Sequence, residues 1–497
     1  MDDECFSSRI EWEWLSHPVI YENVELEEPE KSHVDKISIN RGNDYSLYVT
    51  VEIEEDSQKR NPFDEQFSHP SPTTLSFNVN DSGDRLIIHG SFCKEYNSKI
   101  IISKNSSSKR YTLIPTKIEV DFAPSEPLRE TDWLVDWYLN GIDHLGVFAY
   151  FTDREFSPTL IRERSHHPRE KEGNGDNTIN LTAASNSCER DYFPITYSQW
   201  TILVTKVPKN FGPEWSINIG IEYHPDEEGN FPSSEEREAL SELIGFFFGK
   251  QLVKIGETQF DERGNWISQT SFQKLFHPYP KKFKEAAVPP IDLFEQWQEG
   301  GIGKLIEKYF PMYLQLRSDI HLDDIIWHIW QTDHATLDQQ IPTIVLGIEH
   351  LAKNWFKSQH SKTAGVYLPK KEYLELIAPE MVTLKEKLSQ YDDGEKIIRK
   401  INSAFQMSTT DRWVRLFRDL NLEIGDIEGD IFRNRNKFSH GHTLSSDEEI
   451  REAMKLSMAA RSLLNRIILR ILNHSDMYVD YSLDNHRAKP LEIPLGS

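Results

Sequence analysis

The sequence predicts an α+β chain of two parts, an N-terminal β-rich region that is antiparallel and sandwich-like, followed by an all-α helical bundle. Three observations carry this. Apolar and β-branched residues alternate in short runs from about residue 35 to 225. Beyond residue 320 apolar residues recur instead at helical spacing. Between the two, PYPKKFKEAAVPP (278–290) has the proline and lysine content of a linker.

The β elements are read in order from KISINRGNDYSLYVTVEIE (36–54), FNVNDSGDRLIIHGSF (77–92), RYTLIPTKIEVDF (110–122), WTILVTKVP (200–208) and SINIGIEY (216–223). Glycine, proline, asparagine and aspartate separate them, as hairpin connections require. Residues 161–191 are polar, rich in Gly, Asn and Ser, and without apolar period, which predicts a mobile loop. SSEEREALSELIGFFFGKQ (233–251) opens with serine and acidic residues before an apolar face, the pattern of an N-capped helix. After the linker, segments such as IPTIVLGIEHLAKNWFKSQ, DRWVRLFRDLN and KLSMAARSLLNRIILRIL are helical, the last a buried closing helix because Arg461, Arg466 and Arg470 interrupt its apolar run. The division expected is a sensing or regulatory β region at 1–285, a helical linker at 286–319, a bundle at 320–480 and a tail at 481–497.

At 497 residues, two or three domains are expected. No run of about 18 uncharged apolar residues exists to span a bilayer, and the acidic N-terminus MDDECFSSRIEWEW lacks the positive stretch of a secretory signal, so a cytoplasmic location without membrane association is expected. Three scattered cysteines, Cys5, Cys93 and Cys188, provide neither a disulfide framework nor a C-x-x-C knuckle. The net charge of -24 disfavours sequence-independent binding to long nucleic acid, leaving a local basic pocket for a short or folded RNA. His321, His328 and His334, with Asp323 and Asp324, lack the i, i+4 pair of a helix-borne zinc site; no metal and no cofactor are expected.

Within this acidic chain stands RNRNKFSHGH (433–442). The preceding EIGDIEG starts a helix near Asp426 or Asp430, and Gly441 stands where a left-handed cap would end it, so His440 occupies the last turn. The negative end of the helix dipole favours the imidazolium. Arg435 is five residues earlier, about 7.5 Å along the axis but about 140° away in azimuth. The two converge if the last turn unwinds, if the guanidinium stem reaches across, or if two copies of the helix face each other in a dimer. Arg433, about two turns before His440, lies nearer the same face. A second Arg-to-His pair at this spacing, Arg162 and His167, sits in the polar loop without helix, Asn or Gly.

Arg435-Asn436-Lys437-Phe438-Ser439-His440-Gly441 resembles the R-N-x-x-x-H motif of HEPN domains. With a β-rich half carrying WYLNG (137–141) and a C-terminal bundle, the chain is similar to the ApeA group of bacterial anti-phage HEPN proteins. The resemblance implies a metal-independent endoribonuclease that dimerises through its bundle and arrests the infected cell by cutting RNA, often tRNA. It makes Arg435 and His440 the catalytic pair, Asn436 the polar residue beside them, and Glu349 in GIEHLAKNWF a supporting carboxylate from an early bundle helix. A phage-derived trigger acting on the N-terminal half is the regulation it implies.

The chemistry suits these residues. Cutting RNA without a metal requires activating the ribose 2′-OH, stabilising charge on the phosphorane and protonating the leaving 5′ oxygen. Histidine transfers protons near neutral pH, and arginine clamps phosphate oxygens with a permanent charge. Asn436 orients either group or bonds a ribose hydroxyl. Arg412, Arg415 and Arg418, three apart in DRWVRLFRDL, are the basic stripe expected to contact an RNA backbone. Two readings from other classes stand beside this one: a non-catalytic bundle that only binds and dimerises, and a ligand-binding β module fused to a helical oligomerisation domain. Trp12, Trp14, Trp133 and Trp137 concentrate aromatics in the β half, as core and domain-interface packing in one reading and as a recognition surface for a phage product or RNA bases in the other.

Overall fold

The computed structural model describes residues 19–27, 32–42, 45–56, 73–101, 106–123, 131–144, 147–148, 192–207, 216–261, 266–273, 287–296, 301–359, 365–439 and 446–497. The chain is α+β, with an N-terminal antiparallel β region and a C-terminal helical region. The loop expected at 161–191, with Arg162 and His167, lies outside the described residues, as do Trp12, Trp14 and residues 278–286 of the linker. Two compact units are present: Met1–Arg237, Gln251–Ala287 and Leu293–Glu307 form the first, and Glu238–Lys250, Val288–Asp292 and Lys308–Ser497 the second.

In the first unit, β1 (Val19–Leu26), β2 (Ser32–Arg41), β3 (Leu47–Asp56), β4 (Thr73–Val79), β5 (Arg85–Ile101) and β6 (Ser106–Ile114) are followed by β7 (Lys117–Asp121), β8 (Trp133–Leu139), β9 (Tyr192–Tyr197), β10 (Trp200–Lys206), β11 (Ile219–Tyr223), β12 (Val253–Phe260) and β13 (Trp266–Phe272). Their order is β4-β1-β2-β3-β6-β5-β7-β13-β12-β8-β11-β10-β9, and β4 pairs with β5 as well. The first six strands therefore close into a ring, and the sheet runs on from β5 through β7. β5 makes this possible by its length: its first half pairs with both β4 and β7, its second half with β6, with a register shift between Cys93 and Glu95. At the switch stands Gly90, φ 59°, where a Cβ would meet Thr116 Oγ1 at 2.5 Å.

The alternation read from the sequence is the reason for the ring. Leu47, Val49 and Val51 of β3, Leu75 and Phe77 of β4, and Leu86 and Ile88 of β5 are wholly buried in one apolar cluster that continues through Trp133, Val135 and Trp137 of β8. Closing the sheet lets every strand bury one face without a second sheet. Trp137 is core, its Nε1–H donating to Thr258 Oγ1 at 2.8 Å. On the other face of β8, Asp136 is wholly buried and accepts from Arg237 Nη1 and Lys254 Nζ, each at 2.7 Å; Glu257 completes the quartet, 2.9 Å from Arg237.

The helices are α1 (Ser234–Phe248), α2 (Leu293–Gln296), α3 (Ile302–Ile320), α4 (Leu322–Thr332), α5 (Leu337–Gln359), α6 (Lys370–Leu388), α7 (Gly394–Asn402), α8 (Thr409–Asp419), α9 (Asp426–Ser439) and α10 (Asp447–Ile471). α1 begins as its sequence predicts, with Ser233 and Glu236 bonding each other's backbone amides at 2.8 and 3.2 Å. In the second unit α5 is central. Its stripe of Ile341, Ile344, Ile348, Leu351 and Phe356 is buried, and α4, α8, α9 and α10 pack against it. α6 and α7 pair with each other. α10 is buried along Ala459–Leu469, arginines included. Residues 481–497, set apart as a tail by the sequence, carry the second strand of the hairpin β14 (Met477–Asp480) and β15 (Arg487–Pro490), and β14 packs on α10.

Candidate functional site

α9 carries the motif. Asp426 and Glu428 in its first turn complement the positive end of the helix dipole, and α9 is described through Ser439. Arg435 and Asn436 are thus in its last two described turns. Their side chains, and all of His440 and Gly441, lie outside the described residues.

The inward side of α9 is fixed by residues that are described. Ile431 and Glu428 are wholly buried, and the ring of Phe432 lies 3.9 Å from Trp413 and 6.2 Å from Phe417 of α8. Position 435 follows Glu428 by seven residues and Ile431 by four, so its backbone register continues this buried stripe. Arg433 is on the far side: 71% of its side chain is exposed, and it pairs with Asp430 at 2.5 Å. Asn434 donates from Nδ2 to the Asp430 carbonyl at 2.9 Å. Of the two arginines, Arg433 therefore faces away from the bundle.

Glu349 is half-buried on α5, the helix against which both α8 and α9 pack. The three arginines of α8 do not form a uniform stripe. Arg418 is exposed. Arg415 is half-buried, its guanidinium 5.3 Å from the centre of the Phe356 ring and its Nη1 3.9 Å from Met407 Sδ. Arg412 is half-buried against Gly365. The fold packs α8 and α9 side by side against α5, the helix that carries Glu349, with Arg415 lying on Phe356 of α5. Arg433 lies outside this packing.

The histidines set aside as metal ligands are dispersed. His321 caps α4 with φ 54°, and His328 faces His350 of α5 with ring centres 6.2 Å apart. Burial, with His350 beside it, holds His328 below its ordinary range. Among the described residues no group of three or more His, Cys, Asp or Glu is placed to hold a metal ion. Among them also, no helix is long and apolar enough to cross a membrane.

Two residues tied to α9 were missed in the sequence. Glu428 and Arg466 of α10 are both wholly buried and meet at 3.0 Å. A signal for each was present: Glu428 stands seven residues before Arg435 on a stripe with Ile431, and Arg466 lies amid an apolar run.

No family model matches the chain, and no curated protein matches it. A solved structure, that of Hcp1 from Flavobacterium johnsoniae, is similar over 20% of this chain and 95% of its own, at 13% identity and a TM-score of 0.16. At that score the likeness carries no argument.

Proposed function

We propose that the chain is a metal-independent endoribonuclease of HEPN type, an ApeA-like anti-phage abortive-infection effector of the cytoplasm that cuts RNA, tRNA among it. The cleavage site is shared by two copies of the bundle in a homodimer. The observation that carries this reading is the seat of the motif. Arg435 and Asn436 lie in the last two described turns of α9, immediately before His440 in the chain, and position 435 is in register with the buried Glu428 and Ile431.

In the reaction the ribose 2′-OH attacks the adjacent phosphorus, the P–O5′ bond breaks, and a 2′,3′-cyclic phosphate and a 5′-OH form. Arg435 holds the phosphoryl oxygens as negative charge grows on them. His440, which follows Ser439 in the chain and which the sequence predicts at the carboxyl end of the helix, where the dipole favours its protonated form, moves the proton between the 2′-OH and the leaving oxygen. Asn436 orients the ribose, and Glu349 supports the histidine's charge. Arg418, exposed on α8, contacts the approaching RNA backbone, with Arg412 and Arg415 behind it. The β region senses a phage product and restrains the nuclease until then.

The test replaces Arg435 and His440 by Ala separately in the full chain. Each is expected to lower RNA cleavage by about 100-fold or more with the melting temperature unchanged. A 2′-deoxy nucleotide at the cleaved position should be inert, and chelators should have no effect. Unchanged cleavage by either variant removes the site assignment. A chain that dimerises but leaves RNA intact is the non-catalytic scaffold, and tight sugar or peptide binding with intact RNA identifies the β-module reading.

A further inference from the structure

α9 is anchored at the end opposite its motif. Glu428 Oε1 accepts from Arg466 Nη1 at 3.0 Å and from the Leu495 amide at 2.8 Å, and Oε2 accepts from the Gly425 amide at 3.1 Å. Arg466 spends its remaining donors on backbone carbonyls: Nη1 on Glu423 at 3.0 Å, Nε on Leu491 at 2.8 Å and Nη2 on Glu492 at 2.8 Å. Tyr478 donates to the Ile493 carbonyl at 3.0 Å, and the Gly496 amide to Asp480 Oδ2 at 2.9 Å. Residues 491–496 are thereby strapped over the first turn of α9. The fit is close enough that a Cβ on Gly496, φ 75°, would stand 2.3 Å from Ile427 Cδ1.

A wholly buried ion pair is a poor stabiliser relative to apolar side chains of the same volume, and its best-attested use is to fix a register. Here the forked guanidinium reads three carbonyls on two chain segments and the carboxylate that starts the motif helix. Sliding or rotating α9 would break several of these bonds together. We infer that Glu428 and Arg466 are positioning residues for the motif on α9, and that residues 491–496 are the strap through which they act. They set where position 435 and the helix through Ser439 are presented. The consequence for catalysis rests on the ribonuclease reading; the anchoring does not.

The test is the full chain carrying both Glu428→Leu and Arg466→Met, with Arg466→Lys, which keeps the charge but loses the fork, as a second variant. For the double variant a melting temperature near that of the parent is expected, with faster amide exchange over residues 429–439 and unchanged exchange in α5. For both variants kcat for RNA should fall about tenfold or more while KM moves less than about threefold, the split expected of displaced catalytic groups. Parental kcat in the double variant, or parental exchange over α9, overturns the inference. If the double variant does not fold, Arg466→Lys supplies both readings. If the unmodified chain cuts no RNA, the ribonuclease reading falls, and exchange over α9 alone decides the strap.

Discussion

Arg433 and Arg435 stand two residues apart on one helix, and the sequence offers both as partners for His440. Counting back from His440 favours Arg433, which is nearly two whole turns away. The buried side of α9, marked by Ile431 and Glu428, is in register with position 435 and leaves Arg433 on the exposed side, which supports Arg435 as the partner in the proposed site. The stripe with Ile431 was the only signal that Glu428 turns inward, and it is weak in DIEGD, because a carboxylate in an acidic segment looks like a solvated face until its partner, 38 residues on, is brought beside it. Arg433→Ala should therefore leave both RNA cleavage and melting temperature at parental values, since an exposed i, i+3 pair with Asp430 contributes little. Assayed beside Arg435→Ala, it separates the two arginines. In the first unit the same logic gives the opposite sign. Arg237→Met leaves buried Asp136 and Glu257 with Lys254 alone, and should cost about 3–5 kcal/mol in a denaturant titration of the full chain.

At the level of elements, the strands were legible because each alternates: β10 and β11 fall within the runs quoted for them, and β2 and β3 overlap their shared run but extend past its two ends. The ring was not legible. Its closing pair, β4 with β5, is local, but β3 with β6 and β7 with β13 join segments whose partners no local pattern specifies. The helices followed from apolar spacing; the cap expected at Gly441 lies outside the described residues. Residues 481–497 read as a tail because they are short and polar; their place on α9 and α10 comes from Arg466, which needs their carbonyls. Acid should loosen the second unit at His474, which lies in the turn between α10 and β14 and bonds to Tyr309 of α3. Its ring takes the Tyr309 hydroxyl on Nδ1 at 2.9 Å and contacts the Met477 carbonyl through Nε2 at 3.0 Å, the neutral tautomer fully bonded. Burial lowers its affinity for a proton, with Lys308 and Arg470 adding to this and the Met477 carbonyl and Asp476 opposing it; His328 is shifted the same way. The folded state then binds fewer protons than the unfolded one as pH falls through about 6.5, so stability is present above that pH and is lost below it. The melting temperature should be lower at pH 5.5 than at 7.5, and His474→Gln should shrink the difference. An equal difference in parent and variant assigns it elsewhere.

For the whole molecule the ribonuclease proposal turns on which chain supplies Arg435 and which His440 to one groove. In a regular helix positions 435 and 440 differ by about 140° in azimuth, so one copy of α9 does not readily aim both side chains at one phosphate. A two-fold axis beside α9 removes the difficulty, because the Arg435 of one protomer can then meet the His440 of its partner in each of two equivalent grooves. This makes a prediction that single variants cannot. Arg435→Ala and His440→Ala chains, each inactive alone, are unfolded together and refolded as a mixture. Random pairing makes about half the dimers mixed, and each mixed dimer has one groove with both groups intact, so about a quarter of parental RNA cleavage should return. The activity should follow the mixed species when tagged heterodimers are isolated, at about half the parental rate per dimer. If both groups act from the same chain, every groove in every dimer lacks one of them and the mixture stays as inactive as its parts. The shared groove would then be abandoned in favour of an unwound last turn that turns His440 towards Arg435 within one protomer.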